Sequence, residues 1–480
     1  MAVTKEEEQS RQRDTGRHVI VVGAGIAGLS AAFRLQQTGC SVTVLERDQH
    51  IGGRMRTAAH EGFRMDLCAI WLTRNYREML QLLSDAGLEG EIRHSTDWIG
   101  IVRAGRIHPL RLHRPTDLMR TGLIGWRSKL RAMALMWDAR HATTLARRED
   151  VSAAVYADTE SIRAYSSRRL NRELHDYLID PLCWAFYLAS PDDLSVVNLF
   201  SEVKLAFGAP CFSFTYGIDT LAQHLAEQLT VHLNTAVTSI QQRDDTVKVT
   251  WQQPGKTAQE DHADACVVTV PGPQVPELIP ALAPEQRRYL SGLTYQPHIG
   301  VHVGLDRPPG PPYTAPYVVV AVPSTEDRDL NYLTFDHHRA QGRAPAGKGL
   351  VSLHFRPTWN ERHWGRLESE IIDEALAVCR RALPGLARHI DRYRTTTMVH
   401  RQRLALLARP PGGYRQMQRF IENLDPQARI QFAGDHLSLS TTNNALATGE
   451  LAARATRVAL QSVTPAEARP QRVHHRGETP

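Results

Sequence analysis

The stretch His18-Val19-Ile20-Val21-Val22-Gly23-Ala24-Gly25-Ile26-Ala27-Gly28 sets the reading of this chain. Behind His18 runs an unbroken apolar, β-branched segment, the pattern of a strand buried on both faces of a parallel sheet. A G-x-G-x-x-G follows at once, and Ile26, Leu29 and Phe33 then recur at helical spacing until Gly39 stops the helix. Ser41-Val42-Thr43-Val44-Leu45-Glu46 reads as a second strand ending in an acid. Each part has a physical task. Gly23 permits the tight turn, Gly25 lets the backbone approach a pyrophosphate, and Gly28 lets helix and strand pack closely. The helix N-terminus, with Ala24, Ile26 and Ala27 around it, offers N–H groups and a positive dipole end to phosphates. Glu46 is placed to accept hydrogen bonds from a ribose diol. In this strand–turn–helix–strand frame the fingerprint implies a dinucleotide, and by itself it leaves NAD and FAD open.

The composition is that of a globular protein: 480 residues, 42% hydrophobic and 22% charged, which excludes a collagen-like, disulfide-scaffold or wholly disordered chain. No run approaches 18 apolar residues, so no transmembrane helix is expected. Residues 1–14 read as a disordered tail without the apolar segment of a secretory signal, and the polar residues 462–480 as a second tail. Six cysteines without a C-x-x-C pair suit a reducing cytoplasm and leave no structural metal site. The net charge of +6 is spread among interspersed signs, with no basic stripe of the kind nucleic acid requires. The densest basic patch, Arg103 to Arg114, reads as a solvated loop, with an anionic substrate or a membrane surface as the other readings.

The segment after Glu46 distinguishes the cofactor. Arg47 is followed by Ile51-Gly52-Gly53-Arg54-Met55-Arg56-Thr57 and then Asp66-Leu67-Cys68-Ala69-Ile70-Trp71. Here the chain resembles the flavin family of amine oxidases, protoporphyrinogen oxidases and carotenoid desaturases. Two further stretches carry the likeness: Phe432-Ala433-Gly434-Asp435-His436, and the Ala-rich helix from Asn443, Asn444 and Ala445. The resemblance implies noncovalent FAD, since no cysteine lies at 434–445 to tether it. It implies Arg47 or Arg54 on the phosphates, Ala69, Ile70 and Trp71 bordering the flavin, and Val237 meeting the adenine. It also implies Gly434, Asp435, Asn444 and Ala445 at the flavin, under a helix N-terminus capped by Thr442, Asn443 or Asn444. Three departures from the family pattern are Cys68 and Asn444, where glycine is usual, and Tyr216-Gly217 before a helix expected over 218–229 with Asp219 as cap.

The expected fold is α/β: a discontinuous Rossmann-type FAD-binding domain (15–70, 210–275 and 425–461) beside an α+β substrate-binding domain (71–209 and 276–424). Residues 71–209 should be mainly helical, with Leu-rich periodicity around 116–140 and 161–188. Residues 276–424 should hold strands at 299–305, 317–322 and 350–355 and a helix at 366–382. Trp71, Trp184, Tyr187, Tyr295 and Tyr414 are candidates to shape a substrate cavity, and ordinary core packing is the competing reading of each. His436 and His298 are the candidate catalytic groups, with His354 beside them, against a structural role. None of the six lysines matches the one that holds a water near the flavin in many amine oxidases.

The function this resemblance implies is hydride removal from a C–N or activated C–C unit of a small, hydrophobic or cyclic biosynthetic intermediate, with O2 or another electron acceptor as reoxidant. An amine or amide oxidase forming an imine, a non-redox sugar-nucleotide mutase and a flavin-retaining binding protein are the other readings. A monomer or homodimer with peripheral membrane contact is compatible with each.

Overall fold

The structure is a computed structural model that describes residues 16–111, 113–142, 155–206 and 209–461. Both expected tails lie outside the described residues.

Val19, Ile20, Val21 and Val22 are buried, as a doubly covered strand must be. His18–Val22 pairs in parallel with Ser41–Leu45 on one side and Ala265–Val268 on the other. Thr230–His232 and Ile430–Phe432 extend the two edges, giving a five-stranded parallel sheet with His18–Val22 at its centre. The chain leaves this central strand toward one edge and returns much later to the other, so a crevice opens at its carboxyl end. Alternation along the strand assigns the two faces. Val19 and Val21 pack with Leu29 and Phe33 of the helix Ile26–Gln37, while Ile20 and Val22 pack with Ile240, Val247 and Val249. The latter belong to a three-stranded antiparallel sheet formed by Ala236–Arg243, Thr246–Gln252 and Gln259–Ala263.

The helix Thr442–Gln461 lies on Ile26–Gln37 at unusually close range. A Cβ on Gly449 would sit 2.1 Å from the carbonyl oxygen of Ala27, and Ser30 Oγ donates to the Leu446 carbonyl at 2.9 Å. Its cap is not one of the three residues expected. Thr441 Oγ1 accepts the Asn444 N–H at 3.1 Å, because Asn443 is turned away to the Met79 N–H and Glu78. Asp219 does stand at the N-cap of Thr220–Glu227, but its backbone is not extended (ψ 0°) and its carboxylate makes no capping bond.

Above the crevice stands a seven-stranded sheet in the order Arg394–Ala408, Thr294–Leu305, Gly349–Phe355, Leu330–Phe335, Tyr317–Ala321, Trp98–Arg103, Arg106–Leu110. The strands expected at 299–305, 317–322 and 350–355 and the helix Glu368–Ala382 are all present. The stretch expected to be mainly helical is so, with helices such as Trp126–His141, Asp180–Tyr187 and Val196–Ala206, but it also supplies Trp98–Arg103 and Arg106–Leu110, which complete the large sheet. The basic patch therefore straddles an edge hairpin rather than a free loop. Arg103 pairs with Glu173 at 2.7 Å and Arg111 with Asp117 at 2.6 Å. The helix Trp126–His141 turns Ala132, Leu135 and Ala139 inward and leaves Trp126 (67% exposed), Leu130, Met133 and Trp137 (65%) outward at i, i+4, i+7, i+11.

Candidate active site

A cavity of about 480 Å³ begins at the glycine turn and ends beneath the large sheet. At the turn, Gly23 has φ +106°, and a Cβ there would lie 2.7 Å from Thr269 Oγ1. Gly28 is tighter still, since its Cβ would meet the Gly23 carbonyl oxygen at 2.0 Å. Gly25 differs from both: nothing lies within 4 Å of the Cβ it lacks, and it lines the cavity with Gly23, Ile26 and Ala27. That open face, at a helix N-terminus bearing no side-chain cap, is the shape a phosphate needs. Ala24 and Gly28 do not reach the cavity; they shape the turn that does. The Ala24 N–H donates to Glu46 Oε2 at 2.7 Å and the Asp48 N–H to Oε1 at 2.9 Å, fixing the acid at the cavity wall. Burial raises the Glu46 carboxyl while these two bonds oppose the shift.

The double glycine completes the cradle. The Gly52 N–H donates to the Ala24 carbonyl at 2.8 Å, and Gly52 and Gly53 both adopt positive φ (91° and 54°), tying the second loop to the first. Of the two candidate phosphate arginines, Arg54 is already committed. It grips Asp435 through two nitrogens at 2.5 and 3.0 Å, while Tyr295 donates to the same carboxylate at 2.8 Å. Burial would raise the Asp435 carboxyl, but Arg54 outweighs it and holds the group at about 2. Arg47 is exposed at the cavity rim, where it is available to a phosphate. Val237, Gly434 and Ala445 line the cavity, whereas Asn444 does not. Cys68 does, with its thiol pushed up to about 11 by burial.

Toward the large sheet the walls become apolar. Ala69, Ile70 and Trp71 lead into a chamber closed by Ile99, Phe186 and Val319. Trp71 meets Phe186 edge-on, with centroids 5.9 Å apart. Of the five aromatic candidates only Trp71 lines this space. Trp184 donates to Asp180 and lies under Arg356, Tyr295 holds Asp435, and Tyr414 packs against Arg409. Tyr187 is buried one layer back, donating to Glu202 at 2.8 Å.

The two candidate histidines do not reach the cavity either. His436 is fully buried with both ring nitrogens unbonded, and burial lowers its pKa to about 4. His298 is held to His354 at 2.9 Å and is lowered to about 3 by burial. Both are neutral packing groups here. The polar side chains that do face the chamber include His400, Gln402, Tyr332 and Glu202, none of which was expected. The run Met398-Val399-His400-Arg401-Gln402 does not alternate apolar with polar residues, so no local pattern marks His400 or Gln402. No lysine lines the cavity among the described residues.

A sequence profile described as flavin containing amine oxidoreductase matches residues 26–456. The chain belongs to the flavin-containing amine oxidoreductase family. Among curated relatives it is 26% identical over 331 residues to protoporphyrinogen oxidase 2, chloroplastic/mitochondrial, of Arabidopsis thaliana, covering 59% of this chain and 63% of that one. It is 27% identical over 272 residues to the L-amino-acid oxidase of Pseudechis australis, covering 52% and 50%. The matches thus span less than two-thirds of either relative's length. The cyclohexylamine oxidase of Brevibacterium oxydans has the same fold, with a TM-score of 0.69 at 17% identity over 93% of this chain and 99% of that one. This flavin amine oxidoreductase fold is the α/β architecture described above, and the glycine turn, Glu46 and the open face of Gly25 suit its flavin cofactor.

Proposed function

We propose that the protein holds FAD noncovalently and oxidises a small, hydrophobic or cyclic biosynthetic intermediate at a C–N or activated C–C unit, with O2 or another electron acceptor as reoxidant. The observation that carries this reading is the continuity of one cavity from the glycine turn to an apolar chamber. FAD bound along it would supply the hydride acceptor. The chain's own residues do the rest. Gly23, Gly25 and the N-terminus of Ile26–Gln37 receive phosphates, Glu46 receives the ribose, and Arg47 adds charge at the rim. The N-terminus of Thr442–Gln461 presents its positive end to the cavity through Thr442 and Ala445, where negative charge is best stabilised. Trp71, Ile99 and Phe186 exclude water and orient an apolar ring or chain.

The absence of a lysine from the described wall weighs against the amine-oxidase reading, whereas the carboxylate of Glu202 favours a substrate bearing nitrogen. A sugar-nucleotide mutase loses its support, because Arg103 and Arg111 are engaged in ion pairs away from the cavity. Peripheral contact with a membrane is supported by the outward stripe of Trp126, Leu130, Met133 and Trp137 beside Arg127 and Lys129. No helix among the described residues is long and apolar enough to cross a membrane. Six cysteines that form no disulfide with one another fit a cytoplasmic setting.

The test is an absorption spectrum followed by acid precipitation. A yellow supernatant identified as FAD, from a protein whose colour bleaches anaerobically with a cyclic or polyene substrate, is the expected result. A colourless protein that refuses added FAD would overturn the proposal.

A further inference from the structure

Three side chains of one continuous segment, the strand Leu330–Phe335 and the turn of helix Asp336–Arg339, converge on the apolar chamber. Tyr332 lines it directly and is stacked on His354, with ring centroids 4.3 Å apart. Asn331 and Arg339 lie behind the wall, and both are buried. A register shift between Leu330 and Tyr332 breaks the alternation of the strand, and the Asn331 amide donates to the Trp184 carbonyl at 2.8 Å. That carbonyl lies two positions before Phe186 on the helix Asp180–Tyr187. Arg339 donates through Nη1 to the Ile70 carbonyl at 3.2 Å, one position before Trp71. One segment thus grips the backbone beside each of the two aromatic walls, Trp71 and Phe186, whose rings meet edge-on.

Charge balance does not account for the bond from Arg339 to Ile70. Two carboxylates, Asp66 and Asp336, meet two guanidiniums there: Arg339 pairs with both acids, and Arg343 pairs with Asp66 at 3.0 Å. The four charges cancel before any neutral carbonyl is added. Arg343 donates instead to Ser213 at 3.0 Å, and neither of these two residues lines the cavity. Asn331 makes a similar point. A buried amide in a strand otherwise made of Leu, Tyr, Thr and Phe is costly unless bonded, and its bond goes to the helix that carries Phe186. We infer that Arg339 and Asn331 are positioning residues of the chamber: they fix the separation of the Trp71 and Phe186 walls, and with it the thickness of the ring that the chamber admits. This rests on the functional reading above, in which the chamber takes the apolar part of the substrate. With Tyr332 as a third aromatic wall, a flat ring meets aromatic faces or edges on three sides, so the chamber favours it over a puckered ring of the same carbon count.

The test uses the FAD-loaded protein and two probes, benzyl alcohol and cyclohexylmethanol, with binding read by the flavin difference spectrum and folding by urea unfolding. Wild type should bind the flat probe about tenfold more tightly, the size of one or two aromatic contacts. Arg339→Lys keeps the charge, but one ammonium cannot stand where two guanidinium nitrogens serve Ile70 and Asp336, so the preference should fall to about twofold. Asn331→Ala should narrow it to a similar extent. Arg343→Lys is the control: it loosens the same buried cluster without releasing either aromatic wall, so it should lose stability and keep the tenfold preference. No preference in wild type, an unchanged preference in a folded Arg339→Lys or in Asn331→Ala, or an equal narrowing in Arg343→Lys would overturn the inference. Should Arg339→Lys fail to fold, Asn331→Ala decides alone. A protein that takes up FAD yet shows no preference defeats this inference alone; one that refuses FAD defeats the functional reading first.

Discussion

Three glycines in one turn carry three different constraints, and substitution should separate them. Gly25→Ala meets open space at an ordinary negative φ (−73°), so stability should be unchanged while the methyl occupies the phosphate face. The expected result is a well-folded protein that holds FAD at least about tenfold more weakly, measured by flavin titration. Gly28→Ala drives a Cβ into the Gly23 carbonyl and should cost about 3 kcal/mol or more in urea unfolding. At the second loop, Arg54→Ala strands the carboxylate of Asp435 in the interior. Breaking such a pair costs about 3 kcal/mol or more, again by urea unfolding. The pH dependence has a definite sign. The Asp435 carboxyl lies below its ordinary value, so its contribution is present above the ordinary carboxylate range and is lost as pH falls toward about 2. These residues were legible because glycine spacing and an acid at a strand end are local patterns. The partners of Arg54 and Glu202 were not, since Asp435 lies 381 positions from Arg54 and Tyr187 reaches Glu202 only through tertiary burial.

Elements were legible where their periodicity was their own. Ile26–Gln37, Glu368–Ala382 and the strand His18–Val22 follow directly from apolar spacing. The hairpin formed by Trp98–Arg103 and Arg106–Leu110 turns locally at Ala104 and Gly105, both at positive φ, but its place in the large sheet escaped because that comes from pairing with Tyr317–Ala321, some two hundred positions away. Cap identity failed for a similar reason: the Asn443 side chain is drawn off by Met79 and Glu78, and Thr441 takes its place. Thr441→Ala should therefore cost about 1 kcal/mol in urea unfolding. The helix Trp126–His141 buries one stripe and presents its mirror image to solvent. Replacing Trp126 and Trp137 together by Ser should leave the unfolding midpoint nearly unchanged and abolish co-sedimentation with phosphatidylserine vesicles. Equal sedimentation of variant and wild type would remove the membrane contact proposed for this face.

In the whole molecule, two sheets from scattered parts of the chain face one another across a single cavity. The glycine turn announced one wall, and three strands of the other sheet were expected at 299–305, 317–322 and 350–355; its members Trp98–Arg103 and Arg394–Ala408 were not, because no local pattern says which distant strands will roof an early one. The Gly449–Ala27 contact binds the last described helix onto the first, and Ile430–Phe432 closes the sheet begun by His18–Val22. During synthesis, at roughly 5–20 residues per second, the first strand must wait some tens of seconds for its final neighbour. Until then the helix behind the glycine turn lacks its packing partner, Arg54 has no counter-charge, and the cavity is incomplete. A ribosome that stops early therefore releases a chain without a flavin site, and colour becomes a report that translation reached the far helix.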